Sequence, residues 1–151
     1  MKIKFTLLAL LIFSISGCGY KSIYSANSSN FNIKNIEIIK KNRLNKIIKN
    51  RLEAYSDTAS NNIIDLKIDS NKEKKITTKD ARGNPKIFNM SVSVNIEIIQ
   101  NQILIDSKKF TQNFSYENSS KKFELGQYEK NIQKNLVDKI LESIILYLQT
   151  S

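Results

Sequence analysis

Residues 88–98 hold the pattern that most restricts the fold of this chain, because apolar and polar side chains alternate there without interruption. Successive side chains of a β-strand point to opposite faces, so a period of two predicts a strand with one buried face and one face in water. The apolar members are Phe88, Met90, Val92, Val94, Ile96 and Ile98. The fold must therefore contain a sheet that other elements cover on one side.

Two further segments have the period of an amphipathic helix and can supply that cover. The first follows Asn42, a predicted N-cap, and carries Leu44, Ile47, Ile48, Leu52 and Tyr55. The second runs to the C-terminus with Tyr128, Ile132, Leu136, Ile140, Leu141, Ile144 and Leu148. Its end, residues 144–148, is apolar on nearly all sides, which indicates either a contact with a partner or a helix end tucked under the N-terminal segment.

Shorter apolar runs predict the remaining strands. We expect strands at 31–39, at 64–68 with a charged continuation over 71–80, and after a turn at 100–102. A change of parity between Ile105 and Phe110 predicts a bulge near Asp106 to Lys109. The order is β-α-β-β-β-α, which predicts an α+β fold: a mixed four-stranded sheet with two helices packed on one face.

The N-terminus has the features of a bacterial export signal. Lys2 and Lys4 precede an apolar stretch that is too short to span a bilayer, and Ile15-Ser16-Gly17-Cys18 matches a lipobox. We therefore predict a lipoprotein signal peptide at 1–17, a lipidated tether at 18–30 and a single domain at 31–151. Cys18 is the predicted lipid-attachment residue, carrying a diacylglycerol and an N-acyl chain. The alternative is a buried cysteine that follows an N-terminal transmembrane helix.

The residue inventory argues against catalysis and against a cofactor. The sequence has no histidine, and its sole cysteine is the predicted anchor. Imidazole chemistry, disulfides and thiolate metal clusters are thereby excluded, and no Ser-x-x-Lys or paired-acid motif stands out. We expect a non-enzymatic protein with no metal and no cofactor beyond the lipid on Cys18.

Positive charge is concentrated in two segments of the predicted mature chain. Residues 40–55 hold six basic residues and one acid, whereas residues 72–86 hold six and two. In the first, Arg43, Lys46 and Lys49 form a predicted solvated helix face. The second is either a lysine-rich surface that protects an edge from aggregation or an anion-binding face for lipid phosphates. Export to the periplasm argues against a nucleic-acid partner. The candidate lipopolysaccharide-binding residues are Lys72, Lys74, Lys75, Lys79, Arg82 and Lys86.

Two stretches resemble the lipopolysaccharide-assembly lipoproteins, the LptE-like family, and especially its alphaproteobacterial members. Residues 18–24, Cys-Gly-Tyr-Lys-Ser-Ile-Tyr, are similar to the family's opening, although Ser22 stands where proline is usual. Residues 88–148 are similar to a second stretch of the family. They contain an alternating strand, a short turn and a strand that ends in the aromatic pair Phe114 and Tyr116. Ser119-Ser120 follows, and Glu124 to Tyr128 begins the amphipathic helix. The resemblance covers most of the mature chain.

This resemblance implies an LptE-like domain, lipid-anchored on the periplasmic side of the outer membrane. Gly19 after the cysteine also favours the outer membrane under enterobacterial sorting. The implied partners are lipopolysaccharide and an outer-membrane β-barrel of the LptD type, which the lipoprotein would bind and stabilise. The alternative function is a generic envelope lipoprotein adaptor that binds other membrane proteins or anionic lipid.

Overall fold

The computed structural model describes residues 29–56 and 58–150, so the predicted signal peptide, Cys18 and most of the predicted tether lie outside the described residues. The elements are β1 (Asn32–Ile38), α1 (Arg43–Leu52) with a 3₁₀ turn (Glu53–Tyr55), β2 (Ile63–Lys79), β3 (Pro85–Gln100), β4 (Ile103–Glu117) and α2 (Lys122–Thr150). Their order is the predicted β-α-β-β-β-α.

The four strands form one mixed sheet in the order β1-β2-β3-β4. β1 and β2 are parallel and are joined through α1, whereas β2, β3 and β4 form an antiparallel meander. α1 packs over β1 and β2, and α2 packs over β3 and β4. The predicted α+β fold class is therefore confirmed.

The alternation in β3 separates the two faces of the sheet. Even-numbered residues from Met90 to Ile98 are buried under the helices, whereas the odd-numbered residues between them are partly exposed on the uncovered face. β2 follows the same rule from Ile64 to Ser70. One hydrophobic cluster, which includes residues of both helices, fills the space between sheet and helices.

A register shift explains the uneven apolar spacing of β1. Ile33 pairs with Ile64 and Asn35 pairs with Asp65, which leaves Lys34 as an extra residue in β1. The extra residue lets both Ile33 and Ile36 face the core, although their spacing of three does not fit a regular strand.

A second shift gives β4 its change of parity, close to the predicted bulge. Ile98 pairs with Asp106 and Ile99 pairs with Leu104, so Ile105 is the extra residue. The irregularity lies just before the predicted range of 106–109, because the turn at Asn101 and Gln102, both with positive φ, sets the register of residues 103 and 104. From Asp106 onward, the even-numbered residues of β4 share the helix-covered face.

The C-terminal helix is longer than its apolar period predicts. It begins at Lys122, six residues before Tyr128, the first residue of that period, and among residues 122–131 only Leu125 is buried. At its other end Ile144, Ile145 and Leu148 are buried, and the Asn30 side-chain amide donates a 2.7 Å hydrogen bond to the Gln149 carbonyl. This arrangement fits the interpretation of a tucked helix end.

Candidate functional site

The predicted basic segment lies on the β2–β3 hairpin, whose tip is organised by Asp80. The Asp80 carboxylate accepts hydrogen bonds from the amide N–H groups of Asn84, at 2.8 Å, and Arg82, at 2.9 Å. The bond from Asn84 has the larger effect, and together the two bonds lower the pKa of the exposed Asp80 below its usual value. Gly83 has φ +84°, a conformation that glycine adopts without strain. The hairpin therefore ends in a defined turn.

Two of the six predicted cations, Lys72 and Lys74, lie on the helix-covered face of β2 and contact α2; we call them the inner cations. The Lys72 ammonium donates a 2.9 Å hydrogen bond to the Gln133 side-chain carbonyl. The Lys74 ammonium lies 2.5 Å from a Glu129 carboxylate oxygen and 3.9 Å from the Phe88 ring centroid. These contacts hold the outer half of the hairpin against α2, and they leave Lys74 partly neutralised.

Glu129 also accepts a hydrogen bond from a buried phenol. The Tyr116 hydroxyl donates to the same carboxylate at 2.7 Å, and Tyr116 is only 4% exposed. Burial, together with the Glu129 charge, raises the pKa of Tyr116 well above its usual value. Burial opposes ionisation of Glu129, but hydrogen bonds from Lys74 and Tyr116 outweigh it and lower the pKa of Glu129. The cluster is thus an ionised carboxylate held between a cation and a phenol.

The other predicted cations lie elsewhere on the hairpin. Lys75 is on the uncovered face and forms a 3.1 Å ion pair with Glu73. Lys79, Arg82 and Lys86, which we call the tip cations, surround the turn, and among the described residues none of the three forms an ion pair. The structure therefore brings three of the six predicted residues together at the tip, places the two inner cations against α2, and leaves Lys75 on the uncovered face.

A shallow pocket of about 270 Å³ lies beside the tip cations. Its walls include Lys86, and the carboxylates of Asp80 and Glu117 also line it. An anion at the tip would therefore meet the cations from the solvent side more favourably than from this pocket.

A second basic surface combines residues that are far apart in the sequence. A groove of about 680 Å³ separates α1 from α2 above the part of β2 that extends past the end of β1. We call it the interhelical groove. Five cations line it: Arg43, Arg51, Lys72, Lys130 and Lys134. The helical positions 130, 134 and 137 lie on one face of α2, but only the packing shows that this face lies opposite α1 across the groove.

Metal and membrane-span features are absent from the part of the chain that the structure describes. Residues 29–56 and 58–150 contain no group of three metal-ligating side chains. Over the same residues, neither helix has the combination of length and apolarity that a membrane span requires.

Comparisons with known proteins show a shared fold. No family model matches the chain, and no curated protein matches it in sequence. The crystal structure of rare lipoprotein B from Shewanella oneidensis is similar with a TM-score of 0.52 at 16% identity, over 73% of this chain and 92% of that one. A minor lipoprotein from Acinetobacter baumannii gives a TM-score of 0.59 at 14% identity, over 80% and 91%. The solution structure of lipoprotein B from Nitrosomonas europaea gives 0.56 at 13%, over 86% and 92%. At these identities the likeness establishes the fold, which is that of bacterial lipoproteins of the rare lipoprotein B type.

Proposed function

We propose that this chain is an outer-membrane lipoprotein that binds and stabilises an LptD-type, lipopolysaccharide-inserting β-barrel and assists lipopolysaccharide assembly at the cell surface. The observation that carries the proposal is the combination of a lipobox ending at Cys18 with a domain that has the rare lipoprotein B fold. The proposed role is scaffolding, without a catalytic step and without a cofactor apart from the lipid on Cys18.

The proposed anchor explains how a small domain can act on a membrane protein. Acyl chains on Cys18 would hold the domain at the membrane, since each buried methylene contributes about 0.8 kcal/mol. Ten residues, 19–28, separate Cys18 from Ser29, the first described residue. A short link raises the effective concentration of the domain at a barrel in the same membrane.

The tip cations are the proposed contact for lipopolysaccharide phosphates. They project beyond the core on a turn that Asp80 holds in place, and they have no ion-pair partner among the described residues. Lys and Arg can donate charge-assisted hydrogen bonds to phosphate oxygens. The inner cations are less suited to this role because α2 already occupies them.

Affinity purification tests the proposed function. The tagged, acylated protein would be extracted with a neutral detergent, and its stoichiometric partners identified by mass spectrometry. We expect one large β-barrel protein at about equal amount, and we expect a Cys18→Ala variant, which lacks the anchor, to recover less of it.

The alternative is a generic envelope adaptor that binds other membrane proteins or anionic lipid. Recovery of a different envelope protein, with no large barrel, would favour this alternative. Recovery of no protein partner by the acylated protein would refute binding to the barrel and to other membrane proteins, and would leave only the binding of anionic lipid.

A further inference from the structure

We propose that the interhelical groove binds the anionic headgroup of one phospholipid, at a site separate from the tip cations. A gap separates the two helices. α1 and α2 lie on the same face of the sheet but make few contacts with each other, since α1 covers β1 and β2 while α2 covers β3 and β4. The space between them remains open.

The charged side chains that line the groove are all cations. Arg51 is paired with Asp138 on α2, and the Lys72 ammonium contacts the Gln133 amide. Arg43, Lys130 and Lys134 have no ion-pair partner in the part of the chain that the structure describes. No aspartate or glutamate among the described residues lines the groove. A concave site whose charged side chains are all cations concentrates an anionic ligand.

Part of the groove lining is apolar. Leu44 and Ile47 contribute from α1, and Val137 contributes from α2; Leu44 and Val137 are 8% and 3% exposed. A small inorganic anion would gain nothing from these side chains, whereas an amphiphile would place the start of its chains against them. The combination of cations with apolar side chains is therefore suited to a lipid.

A buried hydroxyl adds an independent sign of a ligand. Ser70 lines the groove on the covered face of β2 and is 6% exposed, and its hydroxyl has no hydrogen-bond partner among the described residues. A buried polar atom without a partner costs free energy, so native structures nearly always satisfy it. A phosphate oxygen or its hydration water in the groove would supply the missing partner.

The size of the groove limits the ligand. Its volume of about 680 Å³ falls in the range of sites that hold one small molecule. One phosphate headgroup with the first part of its chains is a ligand of this size class. The inference rests on the proposed membrane location only for the source of the ligand.

Native mass spectrometry tests the proposal with the full acylated chain in neutral detergent micelles. Phosphatidic acid would be added as the anionic probe, phosphatidylcholine as the zwitterionic one, and inorganic phosphate as a competitor. We expect one phosphatidic acid adduct per chain, little phosphatidylcholine, and retention of the adduct in millimolar phosphate. Displacement of the lipid by inorganic phosphate would overturn the lipid assignment in favour of a free anion.

Matched charge reversals locate the site. In the groove variant Arg43→Glu with Lys134→Glu, we expect lipid affinity to fall about tenfold, as the loss of charge-assisted hydrogen bonds implies. The control, Lys46→Glu with Lys139→Glu, makes the same change of net charge on the same two helices at exposed positions outside the groove. Equal affinities in the two variants, whether both reduced or both unchanged, would overturn the proposal.

Two further comparisons keep the result interpretable. Should the groove variant melt well below the control, the milder Lys130→Gln, measured against Lys139→Gln, replaces it with an expected loss of about threefold. Reversal of the tip cations should leave the adduct intact. Failure to find a barrel partner would therefore refute the proposed function and leave the groove site unaffected. Absence of the lipid adduct would refute the groove site and leave the proposed function unaffected.

Discussion

The Tyr116–Glu129–Lys74 cluster leads to a prediction with a measurable coupling energy. Glu129→Ala would leave the Tyr116 hydroxyl buried without its acceptor, and an unpaired buried hydroxyl costs about 1–3 kcal/mol. The same change removes the Lys74 ion pair, whose side chains are 37% and 23% exposed, so that solvent screening limits it to about 0.2–1 kcal/mol. We expect the variant to lose about 2 kcal/mol of unfolding free energy.

A second background separates the two contributions. In Tyr116→Phe the hydroxyl is absent, so Glu129→Ala should there cost only the ion pair, about 0.5 kcal/mol. The difference between the two costs, about 1.5 kcal/mol, is the coupling energy of the phenol and the carboxylate. Urea denaturation followed by circular dichroism measures all four proteins. Equal costs in the two backgrounds would refute the assigned hydrogen bond.

Three other predictions follow from features of the core and the hairpin. Reversing the three tip cations to glutamate should weaken lipopolysaccharide binding about tenfold at low salt and less at high salt; unchanged binding in surface plasmon resonance would remove the tip from the site. Ile140→Ala empties a fully buried position and should cost about 2–4 kcal/mol in urea denaturation, against less than about 0.5 kcal/mol for the exposed Lys139→Ala. Because the pKa of Asp80 is lowered, its stabilisation of the turn is present above the ordinary aspartate pKa of about 4 and is lost as pH falls through the lower folded value. The amide resonance of Arg82 should therefore titrate below about pH 4, and a midpoint at or above that value contradicts the assigned hydrogen bonds.

The fold class follows from periodicity because burial on one face repeats along each element. Residues 88–98 predicted both the strand and its buried face, and the parity change before Phe110 predicted a bulge one residue from its position. The apolar period alone placed the start of α2 near Tyr128, and the observed start at Lys122 lies earlier because, of residues 122–131, only Leu125 is buried.

The candidate site was less predictable, because its contacts join residues far apart in sequence. The charge run on β2 gave no sign that Lys74 would meet Glu129, which lies 55 positions later. The interhelical groove likewise depends on the separation of two helices on the sheet, and neither helix alone encodes that distance. The charge run therefore did not show which of its cations form contacts within the fold.

The parallel pairing of β1 with β2 has a mechanical consequence. β2, β3 and β4 are joined by short turns, so their pairing needs only contacts that are local in sequence. Ile36 can pair with Leu66 only after α1 has brought β1 beside β2. We expect β1 to join the sheet late. If Cys18 is anchored, tension from the membrane enters the domain through β1, an edge strand hydrogen-bonded to one neighbour. β1 therefore bears the load, and its detachment would leave the β2-β3-β4 meander and α2 folded.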